Sequence, residues 1–141
     1  MYLLDVNVLI ALAWDDHEHH IRAHAWFGRL ANESFATCNV IQSGFVRLSL
    51  NPKVVHCQIG VTDAFEKLES FTNHPEHNFC EDGAFQKELP AWQRVTSHAQ
   101  VTDTNLLLIA HRHGRKFVTF DDGIQNRLQD DEKTWVEVIP E

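Results

Sequence analysis

Residues 101–123 read Val-Thr-Asp-Thr-Asn-Leu-Leu-Leu-Ile-Ala-His-Arg-His-Gly-Arg-Lys-Phe-Val-Thr-Phe-Asp-Asp-Gly. A helix is expected to open at Thr102-Asp103, to carry Leu106, Leu107, Ile109 and Ala110 on its apolar side, and to close at Arg112, His113 and Gly114. Basic residues followed by glycine suit the negative end of a helix dipole and a left-handed cap. Lys116 to Phe120 then reads as a short apolar strand stopped by Asp121-Asp122-Gly123. A helix leading into a buried strand predicts an α/β domain with a mostly parallel sheet.

Working outward, the same alternation holds. Tyr2-Leu3-Leu4 reads as a buried strand ending at Asp5, with Asn7 placed to cap a helix through Val8, Leu9, Ala11, Leu12 and Ala13. A second helix fits residues 18–31, a strand 34–38, and a helix 40–50 that stops at Asn51-Pro52. Residues 61–71 form an amphipathic helix, and 77–80 a weak strand running into Glu81-Asp82-Gly83. The pattern is silent from 84 to 101, apart from the break at Pro90 and an inward Trp92. A short helix at 124–128 and an alternating strand at 135–139 complete the chain. With no repeats or low-complexity linkers, residues 1–141 are read as a single domain.

Composition narrows the function classes. No stretch approaches the roughly 18 apolar residues of a membrane helix, and Asp5 interrupts the first apolar run too early for a signal peptide. Cytoplasmic residence is the expectation. Cys38, Cys57 and Cys80 are an odd set without CxxC spacing, expected to be buried or half-buried thiols rather than disulfides or a zinc site. The formal net charge of −8 argues against duplex DNA binding driven by charge alone. It leaves room for an enzyme that meets phosphates through divalent cations.

Three aspartates share one placement: Asp5, Asp103 and Asp121 each follow a strand or begin a helix. In parallel α/β sheets that is the edge where ligand sites form. Two carboxylates about 5 Å apart at an effective dielectric near 20 repel by roughly 3 kcal/mol, so three of them call for protonation or a cation. Oxygen-only donors favour a hard ion, Mg²⁺ or Mn²⁺, and a metal-bound water is a nucleophile suited to a phosphodiester. Taken singly, Asp103 is equally well a helix N-cap and Asp121 a turn residue before Gly123.

These segments resemble a PIN domain. Leu-Leu-Asp-Val-Asn-Val-Leu-Ile-Ala-Leu at 3–12, Val-Thr-Asp-Thr-Asn-Leu-Leu-Leu-Ile-Ala at 101–110 and Val-Thr-Phe-Asp-Asp-Gly at 118–123 carry the likeness. Within that family the likeness is to the VapC-type ribonuclease toxins of toxin–antitoxin pairs, and Gly-Phe-Val-Arg-Leu-Ser-Leu-Asn-Pro at 44–52 is similar to one of their subgroups. The resemblance implies an α/β/α sandwich in which Asp5, Asp103 and Asp121 bind Mg²⁺ or Mn²⁺ and cleave RNA. It implies Asn7 and Thr119 as polar helpers, a homodimer, and inhibition by a cognate antitoxin. Many PIN domains carry a further glutamate after the second strand. Here no acid lies between Ser34 and Asp63, so Gln42, Ser43 or Gly44 occupies that position, and Asp82 is the candidate for a compensating carboxylate.

Other clusters carry weaker expectations. His20 and His24 stand one helical turn apart, as a zinc pair or as part of a polar rim with Asp15 to His19. Arg22, Arg47, Lys53, Arg112, Arg115 and Lys116 are available to RNA phosphates, with Arg47 singled out for its helix. The four tryptophans are expected to pack in the core or at an interface. A haloacid-dehalogenase-like phosphatase would also use an aspartate after its first strand, but needs a second two residues on, where Asn7 stands. A non-catalytic PIN-like module that binds RNA or protein is the remaining rival.

Overall fold

The computed structural model describes residues 1–87 and 90–141. Five strands form one sheet: β1 (Tyr2–Leu4), β2 (Phe35–Cys38), β3 (His77–Cys80), β4 (Lys116–Thr119) and β5 (Val136–Val138). Their spatial order is β3-β2-β1-β4-β5, and every pairing is parallel. The helices are α1 (Val6–Ala13), α2 (His20–Phe27), α3 (Asn39–Ser49), α4 (Val61–Thr72) and α5 (Ala99–Arg112), with short 3₁₀ turns elsewhere.

This order has a mechanical consequence. From β1 the chain steps outward to β2 and β3, then returns across the sheet to β4 beside β1. Right-handed crossovers put helices linking strands on opposite sides of β1 onto opposite faces. Accordingly α1 packs against α2 and α3, α3 against α4, and α5 against β4. The result is a three-layer α/β/α arrangement. Its switch point, where a crevice opens past the strand ends, lies between β1 and β4.

The core explains why α1 reads as a nearly unbroken apolar run. Seven of its eight residues are buried; only Asn7 is exposed. Leu3, Leu4, Phe35, Ala36, Phe117 and Val118 fill the central strands beneath it. At Gly44, buried on α3, a Cβ would come within 3.0 Å of Val6 Cγ2. Glycine there lets α3 approach α1. Gly44→Ala is expected to cost about 1–3 kcal/mol through overpacking, read as a lower melting temperature. Wild-type stability in that variant would mean that Val6 yields freely.

Several sequence expectations need correction. The helix placed at 18–31 is α2 followed by a 3₁₀ turn at Gly28–Leu30, and that at 124–128 is a 3₁₀ turn over Asp122–Arg127. α5 starts three residues before Thr102. Asn7 does not cap α1: it lies inside the helix, and Asp5 holds the cap position. Cys38 and Cys80 are buried, but Cys57 is exposed. Among the described residues, no helix is long and apolar enough to cross a membrane.

Candidate active site

Asp5 is held where β1 becomes α1. Its N–H donates to Val118 O at 2.8 Å, extending the β1–β4 ladder, while its carbonyl accepts the N–H groups of Val8 and Leu9. The side chain is 6% exposed. Its Oδ2 accepts a hydrogen bond from the Thr119 hydroxyl at 2.8 Å. Burial pushes the Asp5 carboxyl up to about 6; the Thr119 bond and the first N–H groups of α1 oppose that rise, and the nearby charge of Asp103 adds to it. Among the described residues no cationic side chain pairs with Asp5.

Asp103 is the fifth residue of α5, so it is not an N-cap. It is half-buried, and its carboxyl is raised by burial and then by the charge of Asp121, with Arg127 pulling the other way. The Arg127 guanidinium is 3.9 Å from Asp103 Oδ2 and also donates to Thr104 Oγ1 at 3.2 Å.

Asp121, past the end of β4, is exposed and does serve its turn, since Oδ1 accepts from Gly123 N–H at 2.9 Å. Its own N–H donates to Thr119 Oγ1 at 3.1 Å. One hydroxyl therefore ties the Asp5 carboxylate to the Asp121 backbone.

The three acids form a chain of neighbours in which Asp5 senses Asp103, and Asp103 senses Asp121. They do not meet around a single point: among the described residues, no three His, Cys, Asp or Glu side chains are placed to hold one ion. Asn7 and Asp121 both line a cleft that opens beside them.

The other expected residues do not join this group. Asp82 sits at the end of β3, two strands from β1, and both its oxygens accept from the first N–H groups of α3, Asn39 at 2.9 Å and Val40 at 3.2 Å. It caps a helix and compensates for nothing at Asp5. Arg47 is exposed in a separate depression between α3 and α4, with Gln42, Ser43 and Phe65. Gln42 donates to Thr37 Oγ1 at 3.0 Å, and a Cβ on Gly44 would crowd Val6, so neither position offers a substitute for the missing acid.

His20 and His24 are not a zinc pair. Their ring N–H groups donate to Ala11 O at 2.8 Å and Leu12 O at 2.9 Å, satisfying carbonyls left open at the end of α1. Sequence reasoning passed over Arg127. Its only signal is position, four residues beyond the acidic turn at Gly123.

The PIN domain family matches residues 2–129 of this chain. The protein named Ribonuclease VapC38, from Mycobacterium tuberculosis, is 42% identical over 141 residues, covering 99% of this chain and 98% of its own. The chain belongs to the VapC group of the PIN domain family. Ribonuclease VapC39 from the same organism is 38% identical to this PIN domain over 121 residues, spanning 84% of the chain and 87% of its own length. A solved structure titled VapBC2 from Rickettsia felis, bound to a DNA fragment from their promoter, superposes with a TM-score of 0.64 over 99% of this PIN domain and 98% of its own chain. At 14% identity that match speaks for the PIN fold alone.

Proposed function

We propose that the chain is a Mg²⁺- or Mn²⁺-dependent endoribonuclease, the toxin of a toxin–antitoxin pair, with Asp5, Asp103 and Asp121 as its catalytic acids. Its group membership supports the RNA-cutting activity, because the relatives are named ribonucleases. The observation that carries the site is Asp5: a buried carboxylate at the sheet's switch point, without a cationic partner and beside a second acid. Burying an uncompensated charge is costly, and folds retain such groups where a ligand repays the cost.

The donor set fits a hard cation in chemistry and charge. The three carboxylates stand as successive neighbours along the crevice rather than around one point, and a cation there would relieve the repulsion along the acid chain by drawing them together. Asp5, Asp103 and Asp121 would hold it, and Asp103 would exchange its distant Arg127 contact for a closer one. A bound Mg²⁺ or Mn²⁺ supplies Lewis acidity and lowers the pKa of water at neutral pH. The protein's own groups do the positioning. Thr119 fixes the Asp5 carboxylate, the start of α1 favours its ionised form, and Asp121 faces the open cleft where a backbone phosphate approaches. The phosphatase reading lacks its general acid, because Asn7 stands in that position.

The decisive experiment pairs cleavage with metal binding. Wild type should cut structured RNA with Mn²⁺ or Mg²⁺ and stop on chelation, while Asp103→Asn should not cut. Millimolar Mn²⁺ should raise the wild-type melting temperature by several degrees, through binding to the native state alone, and should leave Asp103→Asn unmoved. Equal cutting by the variant would reveal a contaminant. Intact RNA at every metal concentration would favour a non-catalytic binding module. The antitoxin partner and a homodimer belong to the same proposal; co-purification with the product of an adjacent small reading frame, and light scattering, test them.

A further inference from the structure

The cleft beside Asp121 has a volume of about 570 Å³, within the range of roughly 300–1,000 Å³ common for small-ligand sites. Two loops that are distant in sequence form its walls: residues 14–19 after α1 and residues 51–57 after α3. They are latched together, since His56 N–H donates to Asp16 Oδ2 at 2.7 Å. The second loop is also anchored from within. Val55 is buried, and Lys53 N–H donates to Asn51 Oδ1 at 3.0 Å.

The groups along the cleft are well defined. The His19 ring lies 4.7 Å from the Phe120 ring, and the Arg22 guanidinium sits 5.0 Å from the same phenyl centroid. Arg22 is in turn fixed by the carbonyls of Ile139 and Pro140. His17 Nδ1 accepts His19 N–H at 3.1 Å, so a neutral His17 carries its proton on Nε2 and remains a donor there. Burial and the charge of His19 lower the pKa of His17, which favours that neutral form. Among the described residues Lys53 makes no ion pair.

Among the described residues, neither His17 Nε2 nor the His19 ring bonds a backbone carbonyl as His20 and His24 do; His19 Nε2 has the Glu18 carboxylate 3.7 Å away, and Phe120 also packs against the core. Away from Asp121 a metal is not the natural occupant, because among the described residues the cleft's loop side chains include no three placed to share an ion. A free phosphate, with a charge of about −1.5 to −2, fits poorly as well, since Asp16, Glu18 and Asp121 line the same space, whereas a phosphodiester carries a single charge. What suits a ring platform, one free cation and a neutral N–H donor is a base with its phosphate attached.

We propose that this cleft seats a nucleotide flanking the cleaved phosphate of a single-stranded RNA, its base against the His19–Phe120 rings and its phosphate met by Lys53 and His17 Nε2–H. The assignment rests on the ribonuclease reading and names the part of the substrate that reads the site.

The test uses the full chain. Binding of a labelled single-stranded oligoribonucleotide is measured by anisotropy in an Asp5→Asn background, and KM and kcat are measured in the active protein. His19→Ala should weaken binding about tenfold and raise KM by a similar factor with kcat little changed. His19→Phe should restore affinity to within about threefold, because stacking needs a ring rather than a proton. Lys53→Ala should reduce the slope of log affinity against log salt by about 0.7. An abasic nucleotide beside the cleavage position should cost the wild type about tenfold and His19→Ala nothing further.

Unchanged affinity in His19→Ala, or losses from that variant and the abasic substrate that simply multiply, would overturn the cleft assignment while cutting by wild type leaves the ribonuclease reading standing. Wild type that neither binds nor cuts RNA would overturn both. Should His19→Ala fail to fold, the abasic comparison between wild type and His19→Phe still decides.

Discussion

An Asp5→Asn variant is expected to lose RNA cleavage by about a thousandfold or more, yet to melt at a higher temperature than wild type at pH 7.5. The first half follows from removing the buried charge at the inner end of the acid chain. The second follows from linkage. The folded-state carboxyl lies at about 6, above its ordinary 3.8, so the folded protein holds this proton more tightly than the unfolded chain. Stability from that group is fully present below about pH 4 and is lost as pH rises through 6. Each tenfold change in proton affinity is worth about 1.4 kcal/mol, so ionised Asp5 costs the neutral-pH protein roughly 3 kcal/mol. Asparagine escapes that cost but weakens the Thr119 bond by about 1 kcal/mol, leaving a net gain of about 1–2 kcal/mol. Calorimetry checks the sign. The variant should lead at pH 7.5, and the gap should close by pH 4. A variant less stable than wild type at pH 7.5 would show that the hydrogen bonds to the carboxylate outweigh its burial.

Phe117→Ala carries the largest expected loss of stability, about 3–5 kcal/mol. Phe117 is fully buried on β4, in register with Leu3 of β1 on one side and Val136 of β5 on the other. Truncation leaves a cavity under the strand that presents Thr119 and Asp121, and neighbours held in a sheet collapse into it poorly. Against a total of about 5–15 kcal/mol, that loss leaves the fold marginal. Urea unfolding should show a much lower midpoint with an unchanged slope. A loss under about 1 kcal/mol would mean that the inter-strand core repacks far more freely than its burial suggests.

Much of this is legible from the residues because parallel sheets impose a simple rule. Strands such as Leu3-Leu4 and Phe117-Val118 are buried on both faces and read as short apolar runs, so the polar residue that follows each marks the sheet's edge. Asp5 and Asp121 stand out for that reason. Asp103 is harder. The turn of helix before it, Ala99-Gln100-Val101-Thr102, has three exposed residues and no apolar face to announce it, so the helix starts earlier than its pattern suggests. The close contact at Gly44 belongs to the packing of α3 on α1 and leaves no local trace. Neither does the pairing of Arg127 with Asp103, nor the latch between Asp16 and His56. All three depend on segments that meet only after the sheet is assembled. The histidine run misleads for a related reason: identical side chains divide between capping α1 and lining the cleft, and spacing alone does not separate those roles.

The hydrogen bond from Thr119 to Asp5 joins residues 114 positions apart. A ribosome has therefore made the first aspartate long before it makes the hydroxyl that orients it. Contacts this remote are slow to form because so much chain must be brought to order first. Until β4 has joined β1, the pocket lacks the hydroxyl that orients Asp5, so the site is completed only with the sheet itself.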